Sequence, residues 1–260
     1  MPIKELCQII DHQKISENFY KLTLVSKYIS SHGQPGQFIN LRIDNSLDPL
    51  LRRPFSLHNL EPQKELVEIL YEVVGKGTQI LSQKEIKNQV DAIGPLGKGF
   101  DLISDKKFSF LVAGGMGIAP LLLLAKELKK RKKQVFILIG ARTKKALISL
   151  SELTTYSLQL TTITDDGSSG KKGLAIDLLA DALSSNALEE DSEIFACGPH
   201  AMLKAVAEFA FQRKIPAQIS MEEKMACGIG SCMGCVVKTK NGYKRVCADG
   251  PVFKSEEIVW

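Results

Sequence analysis

The hydrophobic pattern of the chain changes near residue 103. Over the first hundred residues, short runs rich in β-branched and aromatic side chains alternate with turn residues, and this pattern predicts strands. The strands are predicted at residues 5–10, 19–25, 37–43, 55–59, 66–74 and 90–93, with one short helix at 78–83. Closely spaced strands with little helix between them predict a small antiparallel β-barrel over residues 1–103.

From residue 104 onward, short apolar runs alternate with longer segments of helical periodicity. Strands are predicted at residues 108–113, 135–139, 159–164, 193–196 and 217–220. Helices are predicted at 118–130, 175–188 and 200–213. This alternation predicts an α/β domain over residues 104–220, with a parallel sheet covered by helices on both faces. Residues 221–260 lack helical periodicity and form a separate C-terminal module.

The C-terminal module contains four of the six cysteines. They follow the spacing C-x4-C-x2-C, and the fourth comes after eleven further residues: Cys227, Cys232, Cys235 and Cys247. This spacing is typical of a plant-type [2Fe-2S] cluster. The glycines among the first three cysteines allow the loop to curl around a small inorganic core. The Asn241-Gly242 pair predicts a hairpin that brings the fourth cysteine back to the loop.

A structural zinc ion is the alternative for four clustered thiolates. Zinc sites usually combine two short C-x2-C knuckles, whereas this chain has one knuckle and a glycine-rich gap of four residues. A disulfide framework is disfavoured because the first five residues carry no secretion signal and the cysteines are crowded together. The spacing therefore favours the iron–sulfur cluster.

Composition and charge limit the classes of partner. The 260 residues are 44% hydrophobic and 24% charged, as in ordinary globular proteins, and the net charge is +5. The basic run at 126–133 fits the solvated end of a helix and has no aromatic residues interleaved, so nucleic acid is not expected as a partner. The uncharged stretch 108–125 is interrupted by glycines and Pro120, which disfavours a membrane span. We expect a cytoplasmic protein.

Two turns in the α/β region have the sequence features of phosphate-binding sites. In the first, a predicted strand runs into a glycine-rich turn that contains Gly115, Gly117 and Pro120, and a helix follows. Bare amides and a helix N-terminus favour an anion there, although Pro120 replaces the third glycine of the usual dinucleotide motif. The second turn, Cys197-Gly198, also lies between a strand and a helix. Both turns are expected at the carboxyl edge of the sheet, where ligands bind.

The barrel region contains two further candidate binding segments. The first combines an arginine, an aromatic ring and a hydroxyl: Arg53, Pro54, Phe55 and Ser56. The planar fork of an arginine suits a pyrophosphate, and a ring can pack on a flat heterocycle. The second segment is a glycine turn at a predicted helix start: Gly75, Gly77 and Thr78. Each segment alone is also compatible with an ordinary turn or with core packing.

The order of these motifs resembles the ferredoxin–NADP reductase superfamily over residues 1 to about 220. With the cysteine module added, the whole chain resembles the electron-transfer subunits of NAD-dependent dihydroorotate dehydrogenases. The resemblance implies that Arg53, Phe55 and Ser56 bind FAD and that Gly75, Gly77 and Thr78 hold its pyrophosphate. It also implies two further sets, a nicotinamide site and a cluster site. The first comprises Gly115, Gly117, Pro120, Cys197 and Gly198; the second comprises Cys227, Cys232, Cys235 and Cys247.

The chain departs from the superfamily at Phe55, where many members have tyrosine, so a hydroxyl contact to the flavin ribose is not expected. Trp260 follows the cluster module and is not equated with the terminal aromatic residue of plant reductases. Next to the predicted strand at 159–164, Asp165 and Asp166 suit a free ribose 2′-hydroxyl and favour NAD over NADP. Lys171 and Lys172 lie close by in sequence and weaken that argument.

The resemblance further implies an NAD-linked oxidoreductase subunit in pyrimidine biosynthesis. Electrons would pass between a dihydroorotate-oxidising, FMN-containing catalytic subunit and NAD through [2Fe-2S] and FAD, in a heterotetramer with two copies of each chain. One alternative is a sister FAD/[2Fe-2S] reductase subunit of a glutamate synthase-like, sulfide or hydrogenase complex. An alternative from another class is a zinc-stabilised nucleotide-binding module without catalytic activity.

Overall fold

The computed structural model of the protein describes residues 1–148, 152–153, 159–184 and 186–260. Its first part is a closed barrel in the order β1-β2-β5-β4-β3-β6, and every pair of neighbouring strands is antiparallel. The strands are β1 (Ile3–Lys14), β2 (Phe19–Val25), β3 (Phe38–Arg42), β4 (Arg53–Glu61), β5 (Leu66–Glu72) and β6 (Gln89–Leu96). Two short helices accompany them, α1 (Lys27–His32) and α2 (Lys76–Ser82). The predicted barrel is confirmed; α1 was not predicted.

Alternation of side chains explains why these strands close on themselves. In β1, Cys7 and Ile9 are fully buried while Gln8 between them is exposed. In β5, Val67 and Ile69 point inward in the same way. Residues of alternating polarity place one face of each strand in the barrel core, and closure leaves no edge strand unpaired.

The second part is a sheet with strands in the order β10-β9-β8-β7-β11-β12, all paired in parallel, and a C-terminal strand next to β12 completes it. Its strands from this region are β7 (Phe108–Gly114), β8 (Gln134–Ala141), β9 (Gln159–Thr164), β10 (Lys171–Lys172), β11 (Ser192–Cys197) and β12 (Ala217–Ser220). The helices are α3 (Leu121–Lys130), α4 (Ala175–Ala182), α5 (Asn186–Glu189) and α6 (His200–Arg213).

Strand β7 shows how the sheet is covered on both faces. Phe110 and Val112 belong to the core that includes residues of α4 and α6. Leu111 and Ala113 belong to the core on the other face, which includes the apolar side of α3. Every residue of β7 after the first is buried, as expected for a strand between two helical layers. The predicted parallel sheet with helices on both faces is confirmed.

Three predicted helices have different bounds in the structure, and the one predicted at 78–83 extends over Lys76–Ser82. The helix predicted from residue 118 begins at Leu121, because a 3-10 turn at Gly115–Ile118 first carries the chain away from β7. The helix predicted over 175–188 is split into α4 and α5, and residue 185 lies outside the described part of the chain. None of the helices in the described residues is long and apolar enough to cross a membrane.

The C-terminal segment forms the predicted hairpin from β13 (Val236–Thr239) and β14 (Gly242–Arg245). It then returns to the parallel sheet as β15 (Val252–Lys254), which pairs antiparallel with β12. This edge strand was not predicted. It fastens the end of the cysteine segment to the parallel sheet. The division at residues 103 and 220 remains a proposal.

Replacing Phe253 by alanine tests this fastening. The ring is 5% exposed and lies in the core shared with α6, so its removal should cost about 3–5 kcal/mol of unfolding free energy. The matched control is Phe211→Ala, since the Phe211 ring is 73% exposed and should contribute within about 0.5 kcal/mol. Urea unfolding followed by circular dichroism measures both; equal losses would contradict the assigned role of β15.

Candidate flavin, nicotinamide and iron–sulfur sites

The two candidate segments of the barrel meet in the structure. Arg53 is the first residue of β4, and Gly77 lies in the first turn of α2. A Cβ atom on Gly77 would lie 2.8 Å from Nε of Arg53, so the guanidinium packs directly on the glycine. Nη1 of Arg53 donates to the carbonyl oxygen of Leu51, which fixes the plane of the fork. A cation is thus held at the start of α2, as anion binding requires.

Thr78 shapes the turn that precedes α2. Its Oγ1 accepts hydrogen bonds from the backbone N–H groups of Val74 at 3.0 Å and Gly75 at 3.2 Å, and donates to the carbonyl of Gly75. No heavy atom lies within 4 Å of the position that a Cβ on Gly75 would occupy. Hydrogen bonds to Thr78 therefore order the turn, while the space next to Gly75 is open. This arrangement fits a site that binds a pyrophosphate.

The remaining residues of the arginine segment divide between two faces of β4. The Phe55 ring is 7% exposed and packs edge-on against Tyr71, with ring centroids 5.6 Å apart. Pro54 and Ser56 alternate with it and face the outside of the barrel, paired with Asn40 and Phe38 of β3. The structure thus places Phe55 largely within the barrel wall and leaves Ser56 half-buried on the outer face.

The two turns of the α/β region also converge. β7 and β11 are neighbours, and a Cβ on Gly117 would lie only 1.9 Å from the carbonyl oxygen of Cys197. A Cβ on Gly198, which has φ +153°, would lie 2.8 Å from the amide nitrogen of Gly114. Glycine is required because no side chain fits between these backbones. Gly115, at φ +53°, faces open space, and Pro120 caps the start of α3. All five residues therefore lie together at the carboxyl edge of the sheet, where the two turns form the sides of one candidate cleft.

The environment of Cys197 keeps its thiol protonated. Desolvation, together with the nearby carboxylate of Glu222, raises the pKa of this thiol to about 12. The reactive form of cysteine is the thiolate, which is scarce at neutral pH when the pKa is so high. Cys197 can therefore border a nicotinamide ring through packing without reacting with it.

His58 joins strand β4, which contains the candidate flavin segment, to the turn that precedes α3, and no sequence motif marked it. The fully buried ring lies on β4; its Nδ1 is 2.7 Å from the carbonyl of Ala119, and its Nε2 is 3.1 Å from Glu152. Both ring nitrogens therefore lie within hydrogen-bonding distance of an oxygen atom, one from the α/β turn and one from the side chain of Glu152. The hydrogen bond from His58, opposed by burial and assisted by Lys21, lowers the pKa of Glu152 to about 2.

The four clustered cysteines form two pairs. Cys227 and Cys232 lie within hydrogen-bonding reach of each other, as do Cys235 and Cys247. No three His, Cys, Asp or Glu side chains in the described residues converge at the spacing of a single ion. A [2Fe-2S] cluster takes four cysteine thiolates, two on each of its two irons. The paired arrangement fits such a cluster.

Backbone amides point at the sulfur atoms of this loop. The N–H of Gly230 donates to Sγ of Cys247 at 3.2 Å, and the N–H of Ser231 donates to Sγ of Cys227 at 3.3 Å. Burial of Cys227 raises its pKa, but amide donors such as that of Ile229 outweigh this effect and lower it to about 6. Hydrogen bonds of this type stabilise thiolates and set the potential of iron–sulfur clusters.

An arginine braces the loop from the hairpin. Nη1 of Arg245 donates to the carbonyl of Gly230 at 2.7 Å, while Nε and Nη2 bind both oxygens of Asp249 at 2.9 and 3.0 Å. The same hydrogen bonds lower the pKa of Asp249 to about 2, so the pair stays charged at neutral pH. Sequence reasoning missed both residues, although their spacing of four is compatible with a local ion pair.

The fold and these sites define a class of protein. A closed antiparallel barrel with an arginine beside a glycine turn, followed by a parallel sheet with a glycine cleft at its carboxyl edge, is the architecture of ferredoxin–NADP reductase-like oxidoreductases. The family "Oxidoreductase NAD-binding domain" matches residues 111–208. The family "Iron-sulfur cluster binding domain of dihydroorotate dehydrogenase B" matches residues 222–259. The chain belongs to the family of electron transfer subunits of dihydroorotate dehydrogenase B (NAD(+)), and full-length relatives support this assignment.

The relative from Bacillus caldolyticus is 40% identical over 261 residues, which cover 98% of each chain. That from Desulforamulus reducens is 36% identical over 250 residues, which cover 95% of this chain and 94% of the relative. Both are named as electron transfer subunits of this enzyme. The resemblance predicted from the motifs is thus confirmed.

Solved structures agree with this family. The NADH-dependent reduced ferredoxin–NADP oxidoreductase, studied for flavin-based electron bifurcation, superposes with a TM-score of 0.87 at 32% identity, covering 98% of this chain and 90% of that one. The ferredoxin NADP+ reductase from Neisseria gonorrhoeae, with bound FAD and NADP, shares the fold at a TM-score of 0.67 and 18% identity, covering 81% of this chain and 91% of that one.

Replacing Gly77 by alanine should weaken FAD binding. The new Cβ would displace the Arg53 guanidinium, and loss of a charged hydrogen bond costs about 1.5–3 kcal/mol, which corresponds to an affinity about 10- to 100-fold lower. Equilibrium titration of the flavin-depleted protein with FAD measures the change. The control is Gln83→Ala at the exposed far end of α2. Unchanged affinity in Gly77→Ala would exclude the arginine from the FAD site.

Replacing Cys232 by alanine should remove the visible absorbance of the cluster and leave bound FAD in place, because the cysteine loop and the flavin cradle are formed by separate residues. Iron and flavin analyses of the purified variant measure the two groups. Cys7→Ala is the control, since that thiol is buried in the barrel core. Iron content equal to that of the unmodified protein would contradict the ligand assignment.

Proposed function

We propose that this chain is the NAD-linked subunit of a dihydroorotate dehydrogenase and passes electrons between a dihydroorotate-oxidising catalytic subunit and NAD, in pyrimidine biosynthesis. The observation that supports the proposal is that the segments of the three candidate sites contact each other within one chain. His58 links strand β4 to the turn that precedes α3, and the cysteine loop packs on the barrel at Gly228 and Asn40. FAD, when bound, supplies the exchange between paired and single electrons that NAD and a [2Fe-2S] cluster require.

The roles of the residues follow from their positions. Arg53, with the turn of Gly75, Gly77 and Thr78, holds the FAD pyrophosphate by charge and by backbone amides. The cleft residues Gly115, Gly117, Pro120, Cys197 and Gly198 border the nicotinamide dinucleotide. Cys227, Cys232, Cys235 and Cys247 hold the cluster. Pro54, Phe55 and Ser56 shape the flavin side of β4. We assign no general acid or base to this chain.

The preference for NAD over NADP is argued from charge at the end of β9. Asp165 and Asp166 are exposed there, and Asp166 accepts hydrogen bonds from both the N–H and the hydroxyl of Ser168. Of the two nearby lysines, Lys171 is paired with Asp181 at 2.8 Å, and Lys172 is exposed. The two carboxylates directly after β9 favour a free 2′-hydroxyl.

The relatives' name implies a catalytic partner, and we propose an FMN-containing subunit that binds dihydroorotate, in a heterotetramer with two copies of each chain. The side of the cysteine loop with exposed Cys232, Ile229 and Met233 is the face offered to that partner.

Co-expression with such a catalytic subunit should give one complex by size-exclusion chromatography. Association instead with a glutamate synthase-like, sulfide or hydrogenase chain would move this protein to a sister system. A cytoplasmic location remains a prediction.

An anaerobic titration with NADH tests the proposed electron path. We expect the flavin absorbance to bleach and an S = 1/2 rhombic EPR signal to appear, because electrons from NADH should reach a [2Fe-2S] cluster through FAD. NADPH at equal concentration is the control for cofactor choice and should react more slowly. A metallated, oxygen-protected preparation that contains zinc and neither iron nor flavin would overturn the proposal and support the zinc-stabilised module.

A further inference from the structure

Asn40 occupies an unusual position on the outer wall of the flavin-binding barrel. It lies on β3, is 1% exposed and pairs with Pro54 of β4, inside the arginine segment. Its neighbour Ile39 points into the barrel core, so the side chain of Asn40 points outward. A polar residue on an outer barrel face is buried only when another segment covers it.

The covering segment is the cysteine loop. Nδ2 of Asn40 donates to the carbonyl oxygen of Cys227 at 3.4 Å. A Cβ on Gly228 would lie 2.2 Å from the same nitrogen, so the backbone of the loop rests directly on the amide. Gly228 has φ +69°, a conformation that favours glycine and bends the loop toward Asn40. This contact directly links β3, the strand next to β4, to the proposed cluster ligand Cys227.

The other end of the amide is unpaired. Oδ1 of Asn40 is the one buried side-chain nitrogen or oxygen without a hydrogen-bond partner among the described residues. A buried unpaired acceptor destabilises a fold, and an apolar residue of the same size would avoid that cost. Retaining an asparagine here therefore requires a reason other than stability.

The backbone beneath Asn40 is held firmly. Nη1 of Arg52 donates to the carbonyl of Asn40 at 3.3 Å and to that of Asp91 at 2.8 Å, and Nη2 binds the Asp91 carboxylate at 2.9 Å. Arg52 thus ties β3 to β6 immediately below the loop. The amide of Asn40 is presented from a rigid wall, which suits a positioning role.

We propose that Asn40 is a positioning residue that fixes the iron–sulfur loop against the flavin-binding strand and so holds the cluster in register with the flavin. The proposal rests on the proposed function, because it takes Cys227 as a cluster ligand. The essential group is Nδ2 of Asn40, which donates to the carbonyl oxygen of Cys227. Because this hydrogen bond holds the backbone of Cys227, it also orients the thiolate of that residue.

The test uses Asn40→Leu, which has similar size and removes both the donor and the unpaired acceptor. We expect unchanged thermal stability and FAD content, but iron release to a chelator about tenfold faster under anaerobic conditions. The EPR signal of the reduced cluster should shift or broaden. Asn40→Asp is the second variant; it keeps the size, loses the donor and should release iron at least as fast.

Asn59→Ala is the matched control. Asn59 is a buried amide on β4 of the same barrel that binds Glu68 and Lys126, so its loss should lower stability without altering the cluster. Iron release and EPR spectra of both Asn40 variants equal to those of Asn59→Ala would overturn the proposal. If the unmodified protein shows no flavin and no [2Fe-2S] signal with NADH, the proposed function itself fails. If only the Asn40 variants show unchanged iron release and EPR spectra, the role of Asn40 is wrong and the proposed function stands.

Discussion

Close approach of backbone to backbone, or of backbone to a polar side chain, is the constraint on which all three sites depend. Gly117 lies against the carbonyl of Cys197, Gly77 against the guanidinium of Arg53, and Gly228 against the amide of Asn40. In each case a Cβ would lie within 2.8 Å of a partner from a distant part of the chain. The absence of a side chain therefore brings each pair of segments together, in addition to freeing backbone dihedrals.

The barrel, the parallel sheet and the cysteine loop follow from the sequence because local pattern determines them. Alternation defines the barrel strands, and strand–helix alternation defines the sheet. The spacing of Cys227, Cys232 and Cys235 predicts a metal site without knowledge of the fold, since the three candidate ligands lie in one loop. The convergence of the glycine turns at the carboxyl edge follows from a topological rule for parallel sheets.

Apart from the local pair of Arg245 and Asp249, the residues that sequence reasoning missed have partners that are distant in the chain. His58 meets Ala119 and Glu152 only after the barrel and sheet have packed together, and Asn40 meets Cys227 across most of the chain. Strand β15 is short, and its pairing with β12 depends on the cysteine segment returning to the sheet. No local periodicity or spacing encodes these contacts, because they arise from tertiary packing.

Polar contacts at the joints explain how the three sites keep a fixed geometry. An apolar interface tolerates small slides, since its free energy depends on buried area and little on direction. Hydrogen bonds and ion pairs depend on distance and angle. Two directional contacts lie between the apolar cores. His58 with Glu152 connects the barrel to the α/β part, and Asn40 with the Cys227 carbonyl connects the barrel to the cysteine loop. Burying them costs stability, and in return they define one arrangement of barrel, sheet and loop. A chain that passes electrons between separate groups needs this fixed arrangement more than it needs the last increment of stability.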